Sequence, residues 1–217
     1  MAESKREGAP ELLSDVSEYQ YGDAKPTWAN VYLWPVVQRL TAKQEWGGRR
    51  ALDLGCGNGA TANMLASLGF EVLGVDPSTS GIEQARCAYK GIEFEVASAY
   101  DDLVARHGTF SLIVSLEVIE HCYDPRRVVR TIFNALEPGG LGIISTPYHG
   151  YWKNLALAVT GEWDRHLTAL WDGGHIKFFS RTTLRTMLEE AGFRQIEFLR
   201  VGRIPPFAKS MVAVVRK

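Results

Sequence analysis

Asp53-Leu54-Gly55-Cys56-Gly57-Asn58-Gly59 is the stretch on which the fold turns. It continues Arg50-Ala51-Leu52, so a short apolar strand runs into an acidic residue and three alternate glycines. Without Cβ atoms such a turn can be tight, and a ligand can lie directly on the backbone. A helix over 60–68 follows, with Gly69 where a left-handed C-terminal cap falls. The free N–H groups and dipole at its start favour an anion. The plainer reading is a glycine turn that only closes a strand–helix corner.

Outward from this loop, strands and helices alternate. Strands are expected at 50–54, 70–75, 92–96 and 110–116, the last almost continuously apolar, as a central parallel strand should be. A helix runs through Ile82 and Ala85 to Tyr89. Asp124-Pro125 opens another, with Asp as N-cap and Pro in the first turn. Val128, Val129, Ile132, Phe133 and Leu136 give it an apolar face. Pro138-Gly139-Gly140 then turns the chain into a fifth strand, 141–145. After Thr146-Pro147 the rhythm breaks, and the next regular helix is 180–191, before two last strands at 195–201 and 211–215. This alternation predicts an α/β fold with a doubly wound, mostly parallel sheet. The expected layout is a flexible arm at 1–18, an N-terminal helical lid at 19–46, and a main domain at 47–217. A substrate-side cap is inserted at 146–179.

The chain has 217 residues, 46% hydrophobic and 23% charged, enough to bury a core in one domain. A formal net charge of -1 gives no bulk attraction to nucleic acid, and none is expected as partner. Cys56, Cys87 and Cys122 are odd in number and lack C-x-x-C spacing. A disulfide framework or structural zinc site is not expected, and a cytoplasmic location is. Residues 1–14 lack the apolar core of a secretory signal, and no apolar run approaches the ~18 residues of a membrane span.

Gly55, Gly57 and Ala60 also fit the relaxed dinucleotide fingerprint, with Asp76 about twenty residues on. Asp53 ahead of the first glycine suits an ammonium better than a pyrophosphate. Gly59 adds a third alternate glycine, and the chain ends in two strands rather than a second nucleotide-binding half. Asp76, with Pro77 beside it, ends the second strand, where a carboxylate can accept both ribose hydroxyls. Its other reading is a helix N-cap.

Four segments together resemble the class I S-adenosylmethionine-dependent methyltransferases. They are Asp53–Gly59 as quoted, Gly74-Val75-Asp76, Phe110-Ser111-Leu112-Ile113-Val114, and Leu136-Glu137-Pro138-Gly139-Gly140, in the family's order and spacing. The resemblance implies a Rossmann-like, seven-stranded sheet with the last strand antiparallel. Within the class, Glu117-Val118-Ile119-Glu120-His121 followed by Asp124-Pro125, and Gly174-His175 with Lys177-Phe178-Phe179, are similar to segments of the ubiquinone-biosynthesis O-methyltransferases. The cofactor implied is S-adenosyl-L-methionine, with S-adenosyl-L-homocysteine as product. Asp53, Gly55 and Gly57 would hold its methionine end, and Asp76 with Pro77 the ribose. Ser98 and Ala99 would flank the adenine, and Leu116 and Glu117 would lie near the methionine moiety. Two departures stand: Ser98 replaces a frequent acidic residue, and Tyr32 aligns where an N-terminal arginine often reaches the cofactor.

A hydroxyl acceptor benefits from a base that takes its proton, and histidine titrates near neutrality. Of five histidines, His107 and His166 sit in polar stretches and read as solvated. His121, His149 and His175 follow strand ends or close the insertion, and His121 and His175 are the candidate catalytic residues. In eukaryotic ubiquinone-pathway relatives the positions matching Glu117, Glu120 and His121 ligate a divalent metal, so a metal stays open here. If helical, these three share one face. In the cap, Trp152, Leu155, Ala156 and Val159 recur at helical spacing. Core packing is the plain reading, and membrane contact through 151–159 the other. The function expected is methyl transfer to a hydroxyl of a small molecule. The alternatives are transfer to nitrogen or carbon, and a non-catalytic module that only binds the cofactor.

Overall fold

The computed structural model describes residues 21–167, 170–171 and 174–217. The arm expected at 1–18 lies outside the described residues. In chain order the elements are α1 (Asn30–Ala42), β1 (Arg50–Leu54), α2 (Ala60–Ser67), β2 (Glu71–Asp76), α3 (Thr79–Ala88) and β3 (Glu93–Val96). Then come α4 (Leu103–His107), β4 (Phe110–Leu116), a 3-10 turn (Ile119–His121), α5 (Pro125–Ala135) and β5 (Leu136–Pro147). The chain ends with α6 (Tyr151–Thr160), α7 (Trp163–Leu167), α8 (Arg181–Ala191), β6 (Gln195–Val201), a 3-10 turn (Pro205–Phe207) and β7 (Ser210–Arg216).

The strands form one sheet in the order β3-β2-β1-β4-β5-β7-β6. β7 runs antiparallel to β5 and β6, and the other pairings are parallel. Strand alternation sends Ala51, Leu112, Val114 and Ile143 to one face, where Leu33 and Val37 of α1, Leu65 of α2 and Ile82 of α3 meet them. Leu52, Leu54, Ile113 and Ile144 point the other way, onto Val128 and Ile132 of α5 and Leu184 and Leu188 of α8. Burial on both faces explains why β4 carries so little polar–apolar alternation. Asp124 caps α5 by accepting the Arg127 N–H at 3.1 Å. Ser180 and Thr183 form a capping box on α8, which ends at Gly192 in the left-handed region.

Three expectations need correction. β5 begins at Leu136, so Pro138-Gly139-Gly140 lies within the strand, at a register shift against β4 between Phe110 and Leu112. The stretch after Thr146-Pro147 is not without helices, for α6 and α7 fill it. The helical spacing of Trp152, Leu155, Ala156 and Val159 is real, but the face does not pack into the core: α6 buries none of its residues, and Trp152 and Val159 are 61% and 79% exposed. α4 escaped detection because one turn with a single buried anchor, Leu103, carries no periodicity. Among the described residues no helix is long and apolar enough to cross a membrane.

Gly59 caps α2 with φ +80°, and a Cβ there would lie 2.7 Å from the Ala85 methyl and 2.8 Å from the Phe94 ring. Gly91 has φ +87° with open space around it. Gly91→Ala is therefore expected to cost about 1 kcal/mol, the left-handed strain alone. Gly59→Ala adds overpacking and should cost about 3 kcal/mol or more. Denaturant unfolding of both variants measures the difference, and equal costs would mean that the loop yields.

Candidate active site

A cavity of about 360 Å³ opens at the carboxyl ends of β1 to β4, where the strand order reverses between β1 and β4. Asp53, Gly55, Gly57, Asp76, Pro77, Ser98, Ala99, Leu116 and Glu117 all line it, so the fold brings together every residue singled out for the cofactor. His121 lines it as well, and the His175 ring stands 4.9 Å from the His121 ring.

Two buried carboxylates shape the glycine-loop end. Asp76 Oδ2 accepts the Gly57 N–H and Oδ1 the Ser78 N–H, both at 2.8 Å. Ser78, not Asp76, caps α3, since its side chain accepts the Gly81 N–H at 3.1 Å. Each Asp76 oxygen keeps a lone pair for a further donor. Burial raises the Asp76 pKa, and the two backbone bonds oppose the rise. Asp53 is 2% exposed, and its Oδ2 has no hydrogen-bond partner. Burial, with the Asp76 charge nearby, pushes its pKa up to about 8. An orphaned acceptor on a cavity wall invites a cationic donor, and an ammonium group fits it.

Beyond β4, Glu117 is the one non-glycine residue with positive φ, at +57°, among those described. Its N–H donates to Ser145 Oγ at 2.9 Å, Ser145 donates back to Glu117 Oε1 at 2.7 Å, and Ser210 donates to Oε2 at 3.1 Å. The Tyr32 hydroxyl bonds Ser210 Oγ at 3.1 Å, so α1, β5 and β7 converge on this carboxylate. Such strain persists only where the surroundings fix it. Glu117, Glu120 and His121 do not share a helix face, because the segment is a 3-10 turn that starts at Ile119. Glu117 turns to the serines. Glu120 is fully buried, and neither carboxylate oxygen makes a well-formed hydrogen bond, although the Thr146 hydroxyl faces it. Burial, reinforced by Glu117, drives its pKa well up. Its backbone carbonyl accepts the Ile176 and Lys177 N–H groups, which docks the end of the cap. His175 Nε2 comes within 4.0 Å of Glu120 Oε1, and ligand atoms of Glu120, His121 and His175 lie within 4.8 Å of one another.

The other histidines depart from expectation. His107 ends α4 and its Nε2 lies 2.7 Å from Glu95, away from the cavity. His166, on α7, is half-buried, its ring 5.8 Å from that of His149. Burial and neighbouring cations lower the pKa of His149 and of His175 to about 4.

Of the helical lid expected at 19–46, only Asn30–Ala42 is helical, and the described residues before it form an irregular strap that crosses the loop. Asn58 Nδ2 donates to the carbonyls of Asp23 and Lys25, each at 2.9 Å, and the Tyr89 hydroxyl holds the Ala24 carbonyl. Tyr21 thereby lies against Gly57, where any Cβ would strike its hydroxyl. Ser145 and Ser210 were missed, yet each is a polar residue in an otherwise apolar buried strand, which was a usable signal.

Residues 27–197 match the family described as "Methyltransferase domain". A ubiquinone biosynthesis O-methyltransferase of Thiobacillus denitrificans is 33% identical over 155 residues, 69% of this chain and 66% of that protein. One of a Caulobacter species is 40% identical over 118 residues, 52% of this chain and 46% of that protein. The matches thus span less than two thirds of these curated relatives. Among solved structures, magnesium protoporphyrin IX methyltransferase of Synechocystis with bound SAH superposes with a TM-score of 0.66 at 19% identity, covering 91% of each chain. An S-adenosylmethionine-dependent methyltransferase of Mesorhizobium loti gives 0.65 at 23% identity, covering 85% of this chain and 97% of that one. At these identities the likeness is one of fold.

Asp53 makes stability depend on pH. Unfolded, it loses its proton near pH 4, whereas folded it keeps it to about pH 8. Between those values the unfolded state binds fewer protons, so stability is full at low pH and falls as pH rises. Glu120 acts in the same direction. Unfolding free energy of the ligand-free protein should therefore drop with rising pH, by about 1.4 kcal/mol per pH unit from Asp53 between pH 5 and 7. Asp53→Asn should remove one group's share of that slope. A slope unchanged in Asp53→Asn would show that the carboxyl is not held protonated.

Proposed function

The chain belongs to the methyltransferase domain family, and on that premise we propose that it transfers the methyl group of S-adenosylmethionine to a hydroxyl of a small molecule such as a phenol or quinol. What carries this reading is one cavity lined by an orphaned carboxylate oxygen, Asp53 Oδ2, and by His121, with Glu120 and His175 grouped behind His121. The first fits an amino-acid ammonium, and the second fits a hydroxyl that must lose a proton. The curated O-methyltransferase relatives support the choice of oxygen.

Bound S-adenosylmethionine supplies a methyl group on a sulfonium, electrophilic without further activation. In this reading Asp53 holds its ammonium, and the Gly55 and Gly57 backbone its methionine end. Asp76 takes the ribose hydroxyls, with Ser98 and Ala99 along the adenine. Leu116 and the pinned Glu117 face the methionine moiety. The strap at 21–28 and the cap exclude water and fix the acceptor oxygen in line with the methyl group. His121 Nδ1 donates to the Gly174 carbonyl at 3.2 Å, which puts its proton there and leaves Nε2 as the basic nitrogen. His175, its pKa lowered first by burial and then by His121, is neutral at physiological pH and can accept the hydroxyl proton. Cytoplasmic residence belongs to the same proposal, supported by three free cysteines.

A second reading has its own support. The orphaned Glu120 carboxylate, with His121 and His175, offers one oxygen and two nitrogen donors for a divalent cation. The cation would acidify a bound hydroxyl there. This donor set replaces Glu117 of the expected trio with His175, and it does not select a particular ion.

Two measurements test the proposal. Calorimetric titration with S-adenosylmethionine at pH 7, in buffers of different ionisation enthalpy, should show release of close to one proton as Asp53 ionises against the ammonium. Asp53→Asn should abolish the release and weaken binding at least about tenfold. A labelled-methyl assay should find transfer to catechols or phenols, with kcat reduced about 10²-fold or more in His175→Ala and cofactor affinity retained. Transfer to amines alone would sink the hydroxyl assignment. Chelator-sensitive turnover, restored by a divalent ion, would select the metal reading over the imidazole base.

A further inference from the structure

The strap is held by hydrogen bonds more than by packing. No residue of 21–28 is buried, and within that stretch Tyr21 and Ala24 alone are half-buried. Yet three consecutive strap carbonyls, those of Asp23, Ala24 and Lys25, are all gripped from the domain beneath. Asn58 Nδ2 donates to the first and the third at 2.9 Å each, and the Tyr89 hydroxyl donates to the second. An asparagine amide carries two N–H donors, and Asn58 directs both to the strap. Its oxygen accepts the Ala60 N–H at 3.3 Å, which anchors the side chain to the start of α2. Asn58 is buried, so its amide would otherwise lack water to bond. The Tyr21 N–H adds a longer bond to Ser80 Oγ, at 3.4 Å.

The place of this grip gives it meaning. Tyr21 and Thr27, on either side of the gripped tripeptide, line the cavity together with Gly55, Gly57 and Asp76. The Tyr21 ring also lies over Gly81, where a Cβ would come within 2.9 Å of it. A ligand seated on the glycine loop therefore has the strap as one of its walls. Asn58 joins the two, since its backbone belongs to the loop and its side chain holds the strap. Tyr89, at the C-terminal end of α3, grips from outside the cavity lining.

We infer that Asn58 and Tyr89 form a latch that closes the strap over S-adenosylmethionine, and that cofactor entry and product exit both require this latch to open. The inference rests on the reading of the cavity as the cofactor site. Asn58 and Tyr89 are positioning residues, acting on the ligand through the strap. Three hydrogen bonds, each of modest net strength, set the cost of opening, and an exposed stretch of chain adds little burial to it. The strap can thus open while the sheet stays intact, as lids do where ligand release governs turnover. Asn58→Asp is the sharpest way to break the latch. It keeps the size of the side chain but sets acceptor oxygens against the Asp23 and Lys25 carbonyls.

The test follows S-adenosylhomocysteine binding to the full chain, and its release, by stopped-flow tryptophan fluorescence, with Tyr89→Phe and Asn58→Asp beside the unaltered protein. Tyr89→Phe removes one bond and should speed both association and dissociation about threefold or more. Asn58→Asp removes two and should speed both about tenfold or more. Kd should move less than either rate, because a latch controls passage in both directions. In the ligand-free variants the amides of 21–28 should exchange hydrogen faster, with those of α8 unchanged. Tyr89 lies outside the cavity lining, so its variant keeps the test valid should Asn58→Asp distort the glycine loop. Rates unmoved in Tyr89→Phe would overturn the inference. So would faster release with association unchanged or slowed, which marks a lost contact and not an opened gate. Absence of binding by the unaltered chain would remove the cofactor reading and the latch with it, whereas binding with unmoved rates would remove the latch alone.

Discussion

Two hydrogen bonds to one carboxylate organise this molecule. Asp76 ends β2, and by accepting the N–H groups of Gly57 and Ser78 it ties the loop after β1 to the loop after β2. The Gly57 N–H could not be left unpaired in so buried a place without a cost of about 1–3 kcal/mol. The same bond holds Gly57 in the left-handed region, where a side chain would strike Tyr21. Once the loop is set, Asn58 is aimed at the Asp23 and Lys25 carbonyls and the strap must cross where it does. The cavity is the space that remains between strap, loop and strand ends.

The part of this arrangement that was legible in the sequence is the part fixed by short-range rules. Glycines at alternate positions, Asp124-Pro125 at a helix start, Ser180 and Gly192 around α8, and continuous apolar runs in β4 all act within a few residues. Strand ends then place Asp53, Asp76 and Leu116 at one switch point without further information. What was not legible depends on contacts distant along the chain. His175 reaches Glu120 only because the Glu120 carbonyl accepts two N–H groups from the end of the cap. Ser210 reaches Glu117 only because β7 pairs beside β5. The row at Trp152, Leu155, Ala156 and Val159 shows the limit of periodicity: spacing announces a helix, but not whether anything covers its apolar face.

Carboxyl groups dominate the strand-end side of the site. Asp53, Asp76, Glu117 and Glu120 crowd the strand ends, and burial raises all four pKa values, as like charges in a poorly solvated place should. A cationic ligand group at the strand ends relieves that crowding.

Glu117 directly follows β4, and its strain follows from that position. A residue leaving β4 in the ordinary extended conformation would carry its side chain past the end of the sheet. With φ at +57° the chain bends sharply, and the carboxylate folds back onto Ser145 and Ser210. The bend also sets Val118 against Gly55, where any Cβ would collide with it, so the glycine loop and the acceptor side share one wall. Left-handed strain at a non-glycine residue costs about 1–3 kcal/mol. Two serine hydroxyls and a backbone bond to Ser145 offset it, each contributing about 1 kcal/mol or more against a carboxylate. The strain is therefore local and held from three strands at once, which keeps the wall rigid while the strap and the cap, built from fewer buried contacts, remain the parts able to move.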